Sequence, residues 1–181
     1  WTMDSFVDSS INQIKSQVEN DSVLCALSGG VDSSTVALLL HKAIGDRLTC
    51  VFIDHGLLRK NEASDVLAMF DKLNIKIIFY NKSDRFLNLI TDAIDPEIRR
   101  KLIGQEFIKV FEEISKQNGP FKWLAQGTLY PDVIESATTK GPAATIKTHH
   151  NVGGLPENLS FKLIEPLREL YKDEVRNVAK L

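Results

Sequence analysis

The residue types best suited to chemistry lie in one short stretch, SGGVDSS, at positions 28–34. An apolar run long enough for a buried strand precedes it at 23–27, and a segment with helical apolar spacing follows it at 34–44. Its two glycines can adopt positive φ and leave backbone N–H groups uncovered. The positive end of the helix dipole converges on the same point, with Ser33 or Ser34 as the expected N-cap. Together these features predict an anion-binding site.

An acidic residue, Asp32, lies in this turn, and the lysine of a Walker A loop is absent from it. A carboxylate beside phosphates is favourable if Mg²⁺ lies between them, because Mg²⁺ prefers carboxylate and phosphate oxygens. The motif resembles the signature of the ATP pyrophosphatase (PP-loop) superfamily. That resemblance implies a loop that holds the β,γ-pyrophosphate of ATP. An ordinary strand-to-helix turn built from small residues is the alternative.

The elements that position this loop alternate between strand and helix. Continuous apolar runs predict five strands, at 23–27, 48–54, 75–81, 122–127 and 161–167. With helical patterns between them, this order is typical of a parallel sheet covered on both faces. The sequence therefore predicts an α/β fold with an open, doubly wound, mainly parallel five-stranded sheet, similar to the adenine nucleotide alpha hydrolases. In such sheets ligands bind beyond the carboxyl ends of the strands.

Composition and length indicate one folded unit. The 181 residues are 43% hydrophobic and carry a net charge of -2, without the basic surplus of a general nucleic-acid binder. We expect 1–22 to be a lead-in helix or linker from a missing N-terminal domain, and 23–181 to be the ATP pyrophosphatase domain. Within that domain the long polar stretch 138–160 predicts a lid.

Features of membrane and secreted proteins are not found in the sequence. No apolar run reaches transmembrane length, and the first residues do not resemble a signal peptide. The two cysteines, Cys25 and Cys50, lie inside apolar runs and are expected to be buried free thiols of a reducing compartment. These features favour a cytoplasmic protein without membrane contact.

Residues at the ends of the second and fourth strands are candidate nucleotide contacts. Val51 and Ile53 could offer an apolar wall and backbone hydrogen bonds to adenine, although a core role explains Val51 at least as well. Gly127 permits close backbone approach. Asp132 and Glu135 are spaced i,i+3, which places both carboxylates on one helix face, where they could hold Mg²⁺ or orient a substrate. A solvated helix start is the alternative.

Basic and imidazole side chains are concentrated in the later segments. Lys147 suits the neutralisation of charge that develops on an α-phosphate as pyrophosphate leaves. His149 and His150 do not predict zinc, because adjacent side chains point apart in extended backbone and no carboxylate or cysteine completes a site. Arg100 and Lys172 lie in basic runs that are either solvated surface or contacts to a phosphorylated substrate.

Six segments together resemble the synthetase half of GMP synthetases, in order and at family-like intervals. They are SGGVDSS, FIDHGLLRKNE, DPEIRRKLIG, GTLYPDVIES, THHNVGGLP and LIEPLRELYKDEVR. The resemblance implies a ligase of purine biosynthesis with ATP and Mg²⁺ as cofactors. ATP adenylates XMP with release of pyrophosphate, and ammonia then displaces AMP to give GMP. It also implies a glutamine amidotransferase domain or subunit as the source of ammonia, and a homodimer for the full-length protein.

The resemblance also implies a role for each matching residue. The catalytic residues it implies are Asp32, Lys147, Lys172 and Asp132, and Asp32 would also bind the metal. The nucleotide contacts are Ser28, Gly29, Gly30, Val31, Asp32, Ser33, Ser34, Val51, Ile53 and Gly127. The acceptor contacts are Arg100, Asp132, Glu135, His149, His150 and Asn151.

Two other classes of protein fit parts of the pattern. Another PP-loop enzyme, such as an NAD synthetase or a tRNA-modifying ligase, shares the loop but differs in its acceptor. A nucleotide-binding module without turnover shares the loop alone. Because the family's amidotransferase and C-terminal dimerisation domains are expected to be missing here, the isolated chain is expected to bind ATP but to turn over XMP poorly.

Overall fold

The structure, a computed structural model, describes residues 2–137 and 161–181. Its strands are β1 (Val23–Leu27), β2 (Leu48–Asp54), β3 (Ile77–Asn81), β4 (Trp123–Ala125) and β5 (Lys162–Ile164). They form one parallel sheet in the order β3-β2-β1-β4-β5. The predicted α/β fold with a five-stranded parallel sheet is therefore confirmed.

Helices connect and flank these strands. In the described residues they are α1 (Met3–Val18), α2 (Val31–Ile44), α3 (Glu62–Lys72), α4 (Ser83–Ile90), α5 (Pro96–Asn118), α6 (Tyr130–Ala137) and α7 (Lys172–Val178). Within the same residues, none of the helices combines the length and the apolar character needed to cross a membrane. Because all five strands run parallel, the loops that follow β1, β2 and β4 meet at one edge of the sheet.

Side chains of β1 alternate between two buried clusters, one on each face of the sheet. Cys25 belongs to the cluster formed with α1, α2 and α7, whereas Leu24 packs with residues of α4 and α5 on the opposite face. Both side chains are fully buried. Helices therefore cover both faces, as the continuous apolar strands predict.

The start of α2 differs from the sequence prediction. The N-cap is Gly30, so the prediction of Ser33 or Ser34 as the cap is wrong. The Ser33 hydroxyl instead accepts a hydrogen bond from the Ser28 backbone N–H (3.1 Å) and donates to the Gly30 carbonyl (3.1 Å). The helix begins at Val31, which places both predicted caps inside its first turn.

Three of the strands, β3, β4 and β5, are shorter than the apolar runs that predict them. β3 begins at Ile77 rather than at Ile75, because the Ile75 N–H bonds to the Phe70 carbonyl near the end of α3. β4 and β5 have three residues each. Pairing continues past β4 through the Gln126 N–H, which donates to the Ile164 carbonyl at 3.1 Å. The backbone is therefore held in place just beyond the strand, where the site begins.

A partly buried ion-pair network joins α4 to α5. The Arg85 guanidinium contacts Glu106 and also lies 2.7 and 2.9 Å from the two carboxylate oxygens of Glu113. Glu106, whose side chain is 8% exposed, accepts a further hydrogen bond from Lys109 at 3.1 Å. Burial raises the pKa of Glu106, but the hydrogen bonds from Lys109 and Arg85 more than offset burial, so its pKa is lowered overall. The carboxylate is therefore charged at neutral pH.

Candidate active site

The loop between β1 and α2 makes a left-handed turn at Gly29. Its φ is +74°, a conformation that residues with a side chain rarely adopt. A β-carbon there would lie 3.0 Å from Glu62 Oε1 and 3.2 Å from Val66 Cγ2 on α3. The next residue, Gly30, has an ordinary φ of -82°. The turn therefore requires glycine at its first position, where α3 packs directly on the loop.

Backbone donors at the start of α2 are available to an acceptor outside the helix. The first N–H groups of an α-helix have no intrahelical partner, and the Gly30 N-cap offers no side chain to bind them. The exposed Ser28 hydroxyl, 3.1 Å from Ser33 Oγ, adds a polar group beside the turn. An anion bound there would also meet the positive end of the helix dipole. This arrangement suits a phosphate group.

An ion pair links this turn to a residue 140 positions away. Lys172 Nζ lies 2.5 Å from Asp32 Oδ2, so the first residue of α7 contacts the first turn of α2. The Lys172 and Asp32 side chains are 46% and 26% exposed, which leaves the pair accessible to a ligand. Two residues for which the family resemblance implies a catalytic role are therefore in direct contact.

The other oxygen of Asp32, Oδ1, is buried and has no hydrogen-bond partner among the described residues. Within those residues, no group of three or more His, Cys, Asp or Glu side chains could hold a metal ion. Mg²⁺ commonly binds through one or two carboxylates and completes its shell with phosphate oxygens and waters. The unpartnered carboxylate oxygen therefore fits a Mg²⁺ ion that arrives together with a phosphorylated ligand.

The loop after β4 lies against the start of α2. A β-carbon at Gly127 would be 3.2 Å from Asp32 Cβ and 3.3 Å from the Ser33 backbone nitrogen. Any larger residue would therefore have to move the loop away from the helix. Glycine at this position allows the carboxyl end of β4 to approach the Asp32 turn closely.

A chain of hydrogen bonds runs from this loop to the residues after β5. Thr128 Oγ1 donates to Glu165 Oε1 at 2.6 Å, and Arg168 Nη1 donates to Glu165 Oε2 at 2.7 Å. Thr128 is buried and the Glu165 side chain is 10% exposed, whereas about half of the Arg168 side chain is exposed. The guanidinium is thus held on one side and accessible on the other. This is the arrangement of an arginine that can bind a phosphate.

The starts of α6 and α7 are bonded to each other. The Tyr130 N–H donates to the Leu170 carbonyl at 3.0 Å, and the Tyr130 and Tyr171 rings pack edge to face with centroids 5.3 Å apart. In the first turn of α6, Asp132 Oδ2 accepts a hydrogen bond from a backbone N–H at 2.9 Å. These contacts position Asp132 relative to α7, the helix that carries Lys172.

An aromatic cluster lies beside the end of β2, on the face covered by α4 and α5. The His55 ring lies edge to face with Phe86 (centroids 6.2 Å apart) and Phe107 (5.7 Å), and the two phenylalanine rings are 4.7 Å apart. Val51 and Ile53 are 1% and 4% exposed, so their side chains belong to the core on this face. Sequence reasoning missed Phe107, because one aromatic residue in an amphipathic helix is typical of a core position.

The remaining candidate residues lie on α5, on α6 and in the sequence segment 138–160. Arg100 is exposed in the N-terminal part of α5, where its Nη1 lies 3.4 Å from Glu97 Oε2. Glu135 follows Asp132 by three residues on α6. The predicted lid at 138–160, with Lys147, His149, His150 and Asn151, lies outside the described residues. The structure therefore brings together, at the carboxyl edge of the sheet, three candidates from distant segments: Asp32, Gly127 and Lys172.

Comparison with known sequences identifies a family and relatives at high identity. The sequence model of the NAD synthase family matches residues 3–109. The glutamine-hydrolyzing GMP synthase of Bartonella henselae is 58% identical over 181 residues, which are 99% of this chain and 35% of that protein. That of Clostridium kluyveri is 58% identical over 179 residues, 98% of this chain and 35% of that protein. The predicted resemblance to GMP synthetases is confirmed, and the chain spans about a third of the length of these relatives.

Two solved structures have the same fold. The NH3-dependent NAD synthetase of Campylobacter jejuni superposes with a TM-score of 0.75 at 16% identity, over 99% of this chain and 73% of that chain. The U34-tRNA thiolase NcsA of Methanococcus maripaludis gives a TM-score of 0.71 at 19% identity, over 99% and 64%. At these identities the likeness concerns the fold alone.

Proposed function

Because this chain belongs to the NAD synthase family, we propose that it is the ATP-using part of an enzyme that converts XMP to GMP. Its 58% sequence identity with a GMP synthase favours XMP as the acceptor. In the first step the O2 oxygen of XMP bonds to the α-phosphorus of ATP, and the bond to pyrophosphate breaks. In the second step ammonia bonds to C2, AMP leaves with the oxygen, and the nitrogen loses a proton. The net reaction is a ligation that forms a C–N bond.

The observation that carries this proposal is the Asp32–Lys172 pair at the start of α2. A reaction that releases pyrophosphate must hold the two outer phosphates and let them leave together. The N–H groups at the start of α2 have no intrahelical partner and can bind them, and the Lys172 ammonium can neutralise the negative charge that develops on departure. A carboxylate in the same place would repel phosphates unless a cation accompanied them. The combination therefore suits a metal-bound triphosphate.

Residues around the glycine turn would share the binding of the outer phosphates. The nucleotide contacts at the loop are Ser28, Gly29, Gly30, Val31, Asp32, Ser33 and Ser34, with Gly127 closing on them from β4. Mg²⁺, held by Asp32 Oδ1, would supply positive charge to the phosphate oxygens when bound. Lys172 binds at the reacting phosphate, and Lys147 provides a second cation for the charge on the α-phosphate.

The adenosine part of ATP fits the opposite face of the sheet edge. The His55–Phe107 cluster offers aromatic surface beside the end of β2. The backbone of Ile53, one residue past the last β1–β2 pair, can hydrogen-bond the base, whereas the expected backbone contact from Val51 is wrong because Val51 is already paired with β1 and β3. The phosphates lie at α2, which covers the other face. The nucleotide would therefore cross the carboxyl end of β1 between its base and its phosphates.

The acceptor, the ammonia supply and the wider assembly belong to the same proposal. Asp132 acts at the reaction centre, and XMP would be bound by Arg100, Asp132, Glu135, His149, His150 and Asn151. Ammonia would come from a glutamine amidotransferase domain or subunit, and the full-length enzyme would be a cytoplasmic homodimer. Residues 23–181 would form the ATP pyrophosphatase domain, with 1–22 leading into it and 138–160 acting as its lid.

The test is pyrophosphate release in the protein as expressed from its gene, with and without XMP. Asp32→Asn keeps the size of the side chain but removes the charge that the metal requires, so XMP-dependent release is expected to fall by about 100-fold or more. Asp71→Asn, a change of the same type at an exposed position on α3, is the matched control and should retain activity. Formation of ADP instead of AMP would contradict the proposal.

One other acceptor has a specific observation in its favour. The matching family model is that of NAD synthase, so deamido-NAD is the competing acceptor for the same adenylation. The two acceptors are separated by measuring AMP formation with each of them under identical conditions. AMP formation with deamido-NAD and none with XMP would replace the proposed acceptor but keep the proposed use of ATP.

A further inference from the structure

Two buried side-chain oxygens in the described residues have no hydrogen-bond partner, Asp32 Oδ1 and Gln126 Oε1. The Mg²⁺ ion proposed above to accompany the phosphates would account for the first. The second belongs to a residue that is 8% exposed. Buried polar atoms are nearly always hydrogen-bonded, so an unpartnered one calls for a partner that binds there.

Gln126 is placed at the edge of the candidate site by its neighbours. It follows the last residue of β4, and its backbone N–H is held by the Ile164 carbonyl at 3.1 Å. The next residue, Gly127, has its β position directed at Asp32. Because successive residues of an extended chain face opposite sides, the Gln126 side chain lies on the side of Leu124, which packs with α4 and α5.

The path of the proposed nucleotide brings one particular group past this point. The base is placed on the α4 and α5 face and the phosphates at α2, so the ribose must cross the carboxyl end of β1. β4 is the immediate neighbour of β1 on the side away from β2. Gln126 adjoins Gly127, which contacts the phosphate loop, and the ribose is the part of a nucleotide attached to the phosphates. The amino group of adenine lies at the far end of the base from the ribose, so the ribose is the part of the nucleotide expected near Gln126.

We propose that the Gln126 side-chain amide hydrogen-bonds a ribose hydroxyl of the bound nucleotide. A hydroxyl both donates and accepts, so it satisfies the amide whichever of its two ends faces the ligand. The inference rests on the proposed use of ATP and adds a contact that selects ribonucleotides. Leaving the amide unpaired in the buried site is unfavourable, so analogues that lack the hydroxyl should bind more weakly.

The test compares ATP with 2′-deoxyATP and 3′-deoxyATP by isothermal titration calorimetry, with Mg²⁺ and without acceptor, on the protein as expressed from its gene. The wild type should bind one of the two analogues about tenfold or more weakly than ATP. Gln126→Met, which keeps the length of the side chain without its polar atoms, should bind ATP and that analogue equally. Gln126→Glu, which keeps an acceptor, should retain part of the preference.

Gln117→Met, at an exposed position on α5, is the matched control and should discriminate as the wild type does. Equal binding of all three nucleotides by the wild type would overturn the inference, since the amide would then be satisfied by water. An unchanged preference in Gln126→Met would overturn it as well. Absence of binding by every nucleotide would overturn the proposed use of ATP, which is a distinct result.

Discussion

At the residue scale, the site depends on two glycines that allow other groups to approach closely. Gly29 makes the left-handed turn under α3, and Gly127 brings the end of β4 against Asp32. Neither position has room for a β-carbon without movement of its neighbours. The small residues of the loop are therefore explained by packing as well as by ligand binding.

Gly29→Ala is expected to destabilise the fold by about 1–3 kcal/mol, because alanine is strained at φ +74° and its β-carbon meets Glu62 Oε1 at 3.0 Å. Urea denaturation measures the loss. Gly104→Ala is the matched control: this glycine lies inside α5 with no neighbour within 4 Å of an added β-carbon. That change should stabilise the protein by roughly 0.5–1 kcal/mol. Equal effects of the two changes would contradict the interpretation of the turn.

At the scale of elements, the first turns of three helices position candidate residues at the site. α2 supplies Asp32, α6 supplies Asp132 and α7 supplies Lys172 from its first residue. The start of α7 is held by the Tyr171 N–H, which donates to Glu174 Oε2 at 2.7 Å. On the other face, α5 places Phe107 against the His55 ring and is itself positioned by packing against α4. The Arg85 network fixes that position.

Arg85→Met is expected to destabilise the fold by about 1–3 kcal/mol at pH 7, because it leaves the buried Glu106 carboxylate with one fewer partner. Hydrogen bonds from Arg85 lower the pKa of Glu113, and those from Lys109 and Arg85 outweigh burial and lower that of Glu106. A carboxyl group whose pKa is lowered by folding stabilises the native protein at pH values above its ordinary pKa of 4.5. That stabilisation is lost as pH falls through the lowered pKa.

The stability difference between wild type and Arg85→Met should therefore be full at neutral pH and should shrink below about pH 4.5. Urea denaturation at a series of pH values measures it. Arg176→Met, at an exposed position on α7, removes the same charge outside the network and should show little difference at any pH. A stability difference that stays constant or grows on acidification would contradict the role given to the lowered pKa values of Glu106 and Glu113.

At the scale of the whole molecule, the fold could be predicted further than the site. The runs VLCAL and LTCVFID became β1 and β2 at the predicted bounds, since continuous apolar strands leave few alternatives. The prediction of Ser33 or Ser34 as the N-cap of α2 is wrong, because the hydrogen bonds of Ser33 depend on the conformation of the glycine turn. The Asp32–Lys172 contact joins segments 140 residues apart, and a local sequence pattern cannot predict a contact between residues so far apart in the chain. Gln126 was missed because its burial depends on strands around it.

Nucleotide binding should stabilise the molecule as a unit, because the proposed site draws residues from β1, α2, β4 and α7. At a MgATP concentration of 100 times its Kd, the gain is about 2.7 kcal/mol, which should raise Tm measurably. AMP at the same concentration keeps the base, the ribose and one phosphate but lacks the two groups that the loop between β1 and α2 is proposed to hold. Its shift, measured by differential scanning calorimetry on the protein as expressed from its gene, should be much smaller. Equal shifts with ATP and AMP would mean that the loop does not bind the outer phosphates, whatever the acceptor.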